Sequence, residues 1–137
     1  MTKGEELKGH IETLRNALPE LKGIVLASND GLPIAYPLSN CEDSSRLAVI
    51  ASALSKLGRR ISDSIGMGVL CEVSVQAAEG ALFAYSAGPQ AVLVVITHQV
   101  ANVGWIHLKS RSAAKEIADL FQPDRIEKSP AVFRATA

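Results

Sequence analysis

Gly23-Ile24-Val25-Leu26-Ala27-Ser28-Asn29-Asp30-Gly31-Leu32-Pro33-Ile34-Ala35-Tyr36 is the stretch that decides the fold. A short apolar run meets an Asn-Asp-Gly turn, and a second run follows. Two such runs about a tight turn read as a β-hairpin. The first run is apolar on both faces of an extended chain, which suits a strand covered from both sides. Upstream, Leu7, Ile11, Leu14, Leu18 and Leu21 recur at three- and four-residue spacing among charged residues, one apolar stripe on a first helix that Pro19 ends or kinks.

Downstream, Ser39 and Glu42 have the spacing of a capping box ahead of the longest helical pattern in the chain. Leu47, Ile50, Leu54, Leu57, Ile61 and Ile65 form one face of this second helix. Ala48, Ala51, Ser52 and Ser55 form an adjoining strip of small side chains, where another helix could approach closely. Gly66 and Gly68 stop it. From Val69 the period becomes two, with Val69, Cys71, Val73 and Val75 on one side and Leu70, Glu72, Ser74 and Gln76 on the other, so a half-exposed strand runs from Val69 to Gln76. Glu79-Gly80 turns into a strand over Ala81 to Ser86. Gly88-Pro89 turns into Ala91-Val92-Leu93-Val94-Val95-Ile96, a second strand apolar on both faces. Asn102 caps a last helix reaching about Phe121, with Ile106, Ala113, Ile117, Leu120 and Phe121 inward. The domain therefore occupies residues 1–121, and residues 122–137, which carry Pro123 and Pro130, are expected to be an extended or mobile tail.

The element order α-β-β-α-β-β-β-α implies an α/β fold with a five-stranded, mainly antiparallel sheet in a three-layer α-β-α sandwich. The two doubly apolar strands sit side by side in the middle. The second helix covers one face, and the first and third cover the other. The strand Val69 to Gln76 is left at an edge, where unpaired main-chain groups invite another chain. Two copies joined there about a two-fold axis would bring their second helices together through the small-residue strip. The expected dimer surface is Leu47, Ala48, Ala51, Leu70, Cys71, Glu72, Val73 and Ser74.

Composition narrows the function. With 137 residues, 47% hydrophobic and 20% charged, the chain can bury one core. Fourteen basic and fourteen acidic side chains cancel, so no global field draws it to nucleic acid or an anionic membrane. Cys41 and Cys71 fit neither a disulfide framework nor a metal motif, and the first residues have no apolar leader, which reads as a cytoplasmic chain with no direct membrane insertion. Cys71, on the apolar side of its strand, reads as a buried inert thiol. His10, His98 and His107 share no ligand spacing and read as surface histidines. Gly66-Met67-Gly68 follows a helix and opens a strand, the reverse of a phosphate loop, and no Gly-Lys-Ser/Thr is present. Tyr85-Ser86-Ala87-Gly88 reads as a strand end and turn rather than a nucleophile elbow, since Ala84 stands where that motif needs glycine. No catalytic residue, cofactor or metal ligand emerges.

The segment Leu18-Pro19-Glu20-Leu21-Lys22-Gly23-Ile24-Val25-Leu26-Ala27-Ser28-Asn29-Asp30-Gly31-Leu32-Pro33-Ile34-Ala35 resembles the opening of the Roadblock/dynein light chain family. The Ala-rich helix, the Gly66-Met67-Gly68 break and the strand Ala91 to Ile96 resemble it too, so the likeness spans about residues 7 to 121. The resemblance implies homodimerisation through the third strand and second helix, and binding of small Ras-like GTPases on the paired second helices. Here that surface would lie around Arg46, Ser52, Lys56, Arg59 and Arg60. Arg59-Arg60 reads first as a solvated helix face, with an arginine beside a GTP γ-phosphate as the sharper reading. The function expected is a non-enzymatic dimeric module that binds or regulates such a GTPase. A scaffold joining larger assemblies, with no nucleotide dependence, is the alternative. A small-molecule sensor with a pocket beneath the second helix ranks last.

Overall fold

A computed structural model describes residues 3–35, 44–98 and 102–121. Its elements are α1 (Lys3–Ala17), β1 (Leu21–Ser28), β2 (Pro33–Ala35), α2 (Ser44–Ser64), β3 (Glu72–Ala77), β4 (Gly80–Ser86), β5 (Ala91–Thr97) and α3 (Val103–Leu120). The capping pair Ser39 and Glu42, Cys41 and the 122–137 tail lie outside the described residues. All five strands join one sheet in the order β2-β1-β5-β4-β3, with every pairing antiparallel. The two doubly apolar runs are adjacent at its centre, where Val25 faces Val94 and Leu26 faces Leu93.

Strand alternation sorts their side chains into two cores. Ile24, Leu26, Leu93 and Val95 join Phe83, Tyr85, Leu7, Ile11, Ile106 and Ile117 in a large core under α1 and α3. Val25, Ala27, Ala84, Val92 and Val94 meet Ala48 and Ala51 in a thinner one under α2. The α1 stripe is buried as expected, except that α1 ends at Ala17 and Leu21 already belongs to β1. Pro19 sits in the turn between them.

The buried side of α2 consists of Ser44, Ala48, Ala51, Ser52, Ser55, Gly58 and Ser62. This corrects the expected role of the small-residue strip. Those side chains face the chain's own sheet, because only a face without bulk lets the helix come down on a layer of Val and Ala. The large residues Val49, Ile50, Leu57, Ile61 and Ile65 are left exposed. Beyond α2, Gly66 takes φ +66, and Met67 N–H donates to the Ser62 carbonyl at 2.9 Å. A left-handed glycine followed by that 6→1 bond is a Schellman stop.

The hairpin turn is tied to α2. Gly31 has φ +86, the Ser28 hydroxyl accepts from the Asp30 and Leu32 amides, and Ser52 Oγ donates to the Asn29 carbonyl at 2.6 Å. On α3, the Asn102 side chain accepts from Trp105 N–H at 3.1 Å, the cap its sequence position predicts.

Candidate interaction surface on α2 and β3

The exposed side of α2 is divided into two flanks, and the division follows from 100° of rotation per residue. Gly58 abuts the edge strand: a Cβ built on it would lie 2.7 Å from Val73 Cγ2. Val49 and Ser52 instead neighbour Gly31 in the β1–β2 turn. Leu47, Leu54, Ile61, Ile50 and Leu57 follow one another round the helix from the Gly58 side, so the apolar flank overlooks β3. Lys56 and the exposed Val49 lie on the opposite flank, beyond Ser52, Arg59 sits half-buried between Ala48 and Ser52, and Arg46 and Arg60 crown the helix between the two flanks.

This geometry separates the expected contact residues. Arg46, Lys56 and Arg60 are exposed and Arg59 is half-buried, but Ser52 is buried and bonded to the hairpin turn, so it offers no surface. Ala48 and Ala51 are 0% and 1% exposed within the chain's own core, which removes both from any dimer surface. Leu47, Leu70, Glu72 and Val73 are half-buried, while Cys71 and Ser74 are exposed.

Cys71 is therefore not the buried thiol its alternating pattern implied. The strand begins one residue later, at Glu72, and the approach to it runs outside the core, with Val69 92% exposed. Cys71 O accepts from Ser86 N–H at 2.9 Å, and Ser86 Oγ donates to Leu70 O at 3.1 Å, which fasten that approach to the end of β4.

On the α3 side of β3 lies a polar cluster that sequence reasoning missed. Arg111 grips Glu72 through both carboxylate oxygens, at 2.7 and 3.0 Å. His107 Nδ1 lies 2.7 Å from Tyr85 Oη and 3.4 Å from Glu72 Oε2, and its ring stands edge-on to Phe83. His107 is thus part of a network rather than a plain surface histidine; His98 is exposed. The Arg111 hydrogen bond, reinforced by the charges of Arg111 and His107, holds the Glu72 carboxyl below the ordinary carboxylate range. The same bond raises Arg111, and burial pushes the Tyr85 phenol up. The one sequence signal for this cluster was the i, i+4 spacing of His107 and Arg111, which puts both on one face of α3.

Two open clefts flank residues 68–72. One, of about 490 Å³, lies at the end of α2 between Arg59, Asp63, Val69 and Pro89. The other, of about 610 Å³, lies beside α3 between Cys71, Glu72, Arg111 and Lys115. Among the described residues no helix is long and apolar enough to cross a membrane.

A family model described as the Roadblock/LC7 domain matches residues 9–97. The chain belongs to the Roadblock/LC7 family. An uncharacterized protein of Methanocaldococcus jannaschii is 31% identical over 106 residues, 77% of this chain and 92% of that one. The solved Roadblock/LC7 domain from Streptomyces avermitilis superposes with a TM-score of 0.71 at 25% identity, covering 79% of this chain and 91% of that one. MglB of Myxococcus xanthus superposes with a TM-score of 0.76 at 19% identity, covering 85% and 95%, a likeness of fold. This Roadblock/LC7 domain keeps the sheet order and the long α2 that its sequence implies, and carries one exposed apolar flank, with Ile50, Leu57 and Ile61, where α2 meets the edge strand.

Proposed function

We propose that this Roadblock/LC7 domain works in the cytoplasm as a symmetric dimer that holds or regulates a small Ras-like GTPase, without a catalytic site of its own. The observation that carries the reading is the apolar flank of α2, from Leu47 and Leu54 round to Ile61, Ile50 and Leu57, beside the open β3 edge, with the exposed Lys56 and Arg60 turned away from that edge. A contiguous exposed apolar surface on a small domain marks an interaction site. A second copy paired at β3 brings the apolar flanks of the two α2 helices together and buries them. Arg46, Lys56 and Arg60 are left on the outer surface of the paired helices, where a partner's acidic or phosphate-bearing face is accommodated by charge.

Two measurements test this. Sedimentation of the full chain is expected to give a dimer that dissociates on dilution. The dimer is expected to bind a Ras-like GTPase from the same cell with an affinity that differs between GDP and a GTP analogue, and to lose it in a K56E/R60E variant. Absence of binding in both nucleotide states would overturn the assignment. Equal binding in both would favour the scaffold, which the open β3 edge also supports.

A further inference from the structure

We propose that two copies of this chain pair at β3 in one register, with Ser74 on the two-fold axis, and that the α3 clamp on Glu72 leaves the main chain free to adopt it. The inference rests on the dimer reading and adds to it the alignment of the seam.

Cys71 O accepts from Ser86 N–H, and Glu72 faces Tyr85, so Cys71 and Ser86 form a hydrogen-bonded pair. In an antiparallel ladder such pairs alternate with non-bonded ones. Val73, Val75 and Ala77 therefore bond to β4, and Ala77 faces Gly80 across the two-residue turn. The N–H and C=O groups of Glu72, Ser74 and Gln76 point the other way, to the open edge of the sheet.

A two-fold axis fixes the sum of the residue numbers in every facing pair, and bonding requires an outward residue to meet an outward residue. The strand's own midpoint, between Ser74 and Val75, fails this test because it sets Glu72 against Ala77, which bonds inward. An axis at Val73 joins Glu72 to Ser74 of the second copy and back again, and strands Gln76. An axis at Val75 joins Ser74 to Gln76 and leaves Glu72 opposite the hairpin turn. The axis at Ser74 pairs Glu72 with Gln76, Ser74 with Ser74, and Gln76 with Glu72. Three pairs exchanging two bonds each satisfy every outward group, against two pairs in either neighbouring register.

Side chains agree with this choice. On the α2 face, Val73 stands opposite Val75 of the second copy twice over, a favourable β-branched pair, and covers Val75, which is 46% exposed in the single chain. On the α3 face, an amide rather than a second carboxylate stands across from Glu72. That carboxylate is drawn back onto Arg111 and His107 of its own chain, away from the axis.

The test uses full-length chains with Cys41→Ser and Cys71→Ser, into which Ser74→Cys, Val73→Cys or Val75→Cys is placed singly, under mild oxidation. Facing Cα atoms in this ladder lie about 5.5 Å apart in bonded pairs and about 4.5 Å in non-bonded ones, both within disulfide reach. S74C is expected to link to itself. V73C and V75C are each expected to link poorly alone and readily when mixed. Self-linking of V73C or V75C above S74C overturns the register. Sedimentation of the unmodified chain separates the two levels: a dimer in which none of these variants links overturns the register alone, whereas a monomer at every concentration overturns the dimer reading and the register with it. Melting curves of the three variants, matched to the parent, show that each retains the fold.

Discussion

Glu72 opens the edge strand and is 20% exposed in its side chain, with Arg111 gripping it from the neighbouring layer. Because Arg111 is largely in solvent, the pair is expected to stabilise the fold by only about 0.5–1 kcal/mol. Its pH dependence is more diagnostic than its size. The folded carboxyl titrates below its unfolded value of about 4.3, so the stabilisation is present above that value and disappears as pH falls through the folded one. Glu72→Gln should lower the urea midpoint at pH 7, and its gap from the parent should narrow as the pH drops below 4. A gap unchanged down to pH 3 would mean the carboxylate charge is not what stabilises. Two glycines offer a contrast at the same scale. Gly9 on α1 has open space where a Cβ would go, so Gly9→Ala should stabilise by about 0.5–1 kcal/mol through helix propensity. At Gly58 the same gain is opposed by contacts of 2.7 Å with Val73 and 3.0 Å with Leu70. Leu70 can turn aside, but a valine in a strand is stiff about χ1, and overpacking costs about 1–3 kcal/mol. Gly58→Ala should therefore destabilise by about 1 kcal/mol net, with chemical denaturation of both variants reading the opposite signs.

At the scale of the element, α2 is a helix whose bulk points outward. Leu57→Asp and Ile61→Asp each replace an exposed side chain on the apolar flank, so the unfolding free energy of the isolated subunit should change by less than about 0.5 kcal/mol. Dimer dissociation should nevertheless rise by at least tenfold, read by sedimentation, since a charge would be placed in a buried apolar contact. A fall in subunit stability equal to the loss of association would show that these side chains belong to the chain's own core. This orientation marks where sequence reasoning stops. β1 and β5 were legible as central strands because a run such as Ile24-Val25-Leu26-Ala27 has no polar side to turn to water. Helix α2 carries two stripes that could both be buried, one large and one small, and periodicity alone does not rank them. What ranks them is clearance. The sheet meets α2 with Val25, Ala27, Ala84, Val92 and Val94, and only the Ala/Ser/Gly stripe lets the helix approach that surface. The exposure of Cys71 was illegible for a related reason: an alternating pattern fixes neither where a strand begins nor whether anything covers the chain that leads into it.

At the scale of the whole molecule, the two cores are unequal. The α1/α3 side is built from Leu, Ile, Phe and Tyr, and the α2 side from Ala and Val. A single chain thus has a deep core on one face of its sheet and a shallow one on the other, and the outside of the shallow side carries Val49, Ile50, Leu57, Ile61 and Ile65, while Trp105 and Leu108 are exposed on α3. Pairing at β3 would add a third apolar layer there, between the two α2 helices, so stability should be linked to association. For a native dimer that unfolds to monomers, each tenfold rise in concentration favours the folded state by about 1.4 kcal/mol, enough to raise the melting temperature by a few degrees in a chain of this size. Calorimetry of the parent across two decades of concentration should show that rise. In Leu57→Asp the slope should vanish, leaving a melting temperature equal to that of the parent at its most dilute. A flat curve for the parent would show that the shallow core suffices without a second copy, and the apolar flank of α2 would then have to be assigned to a partner of another kind.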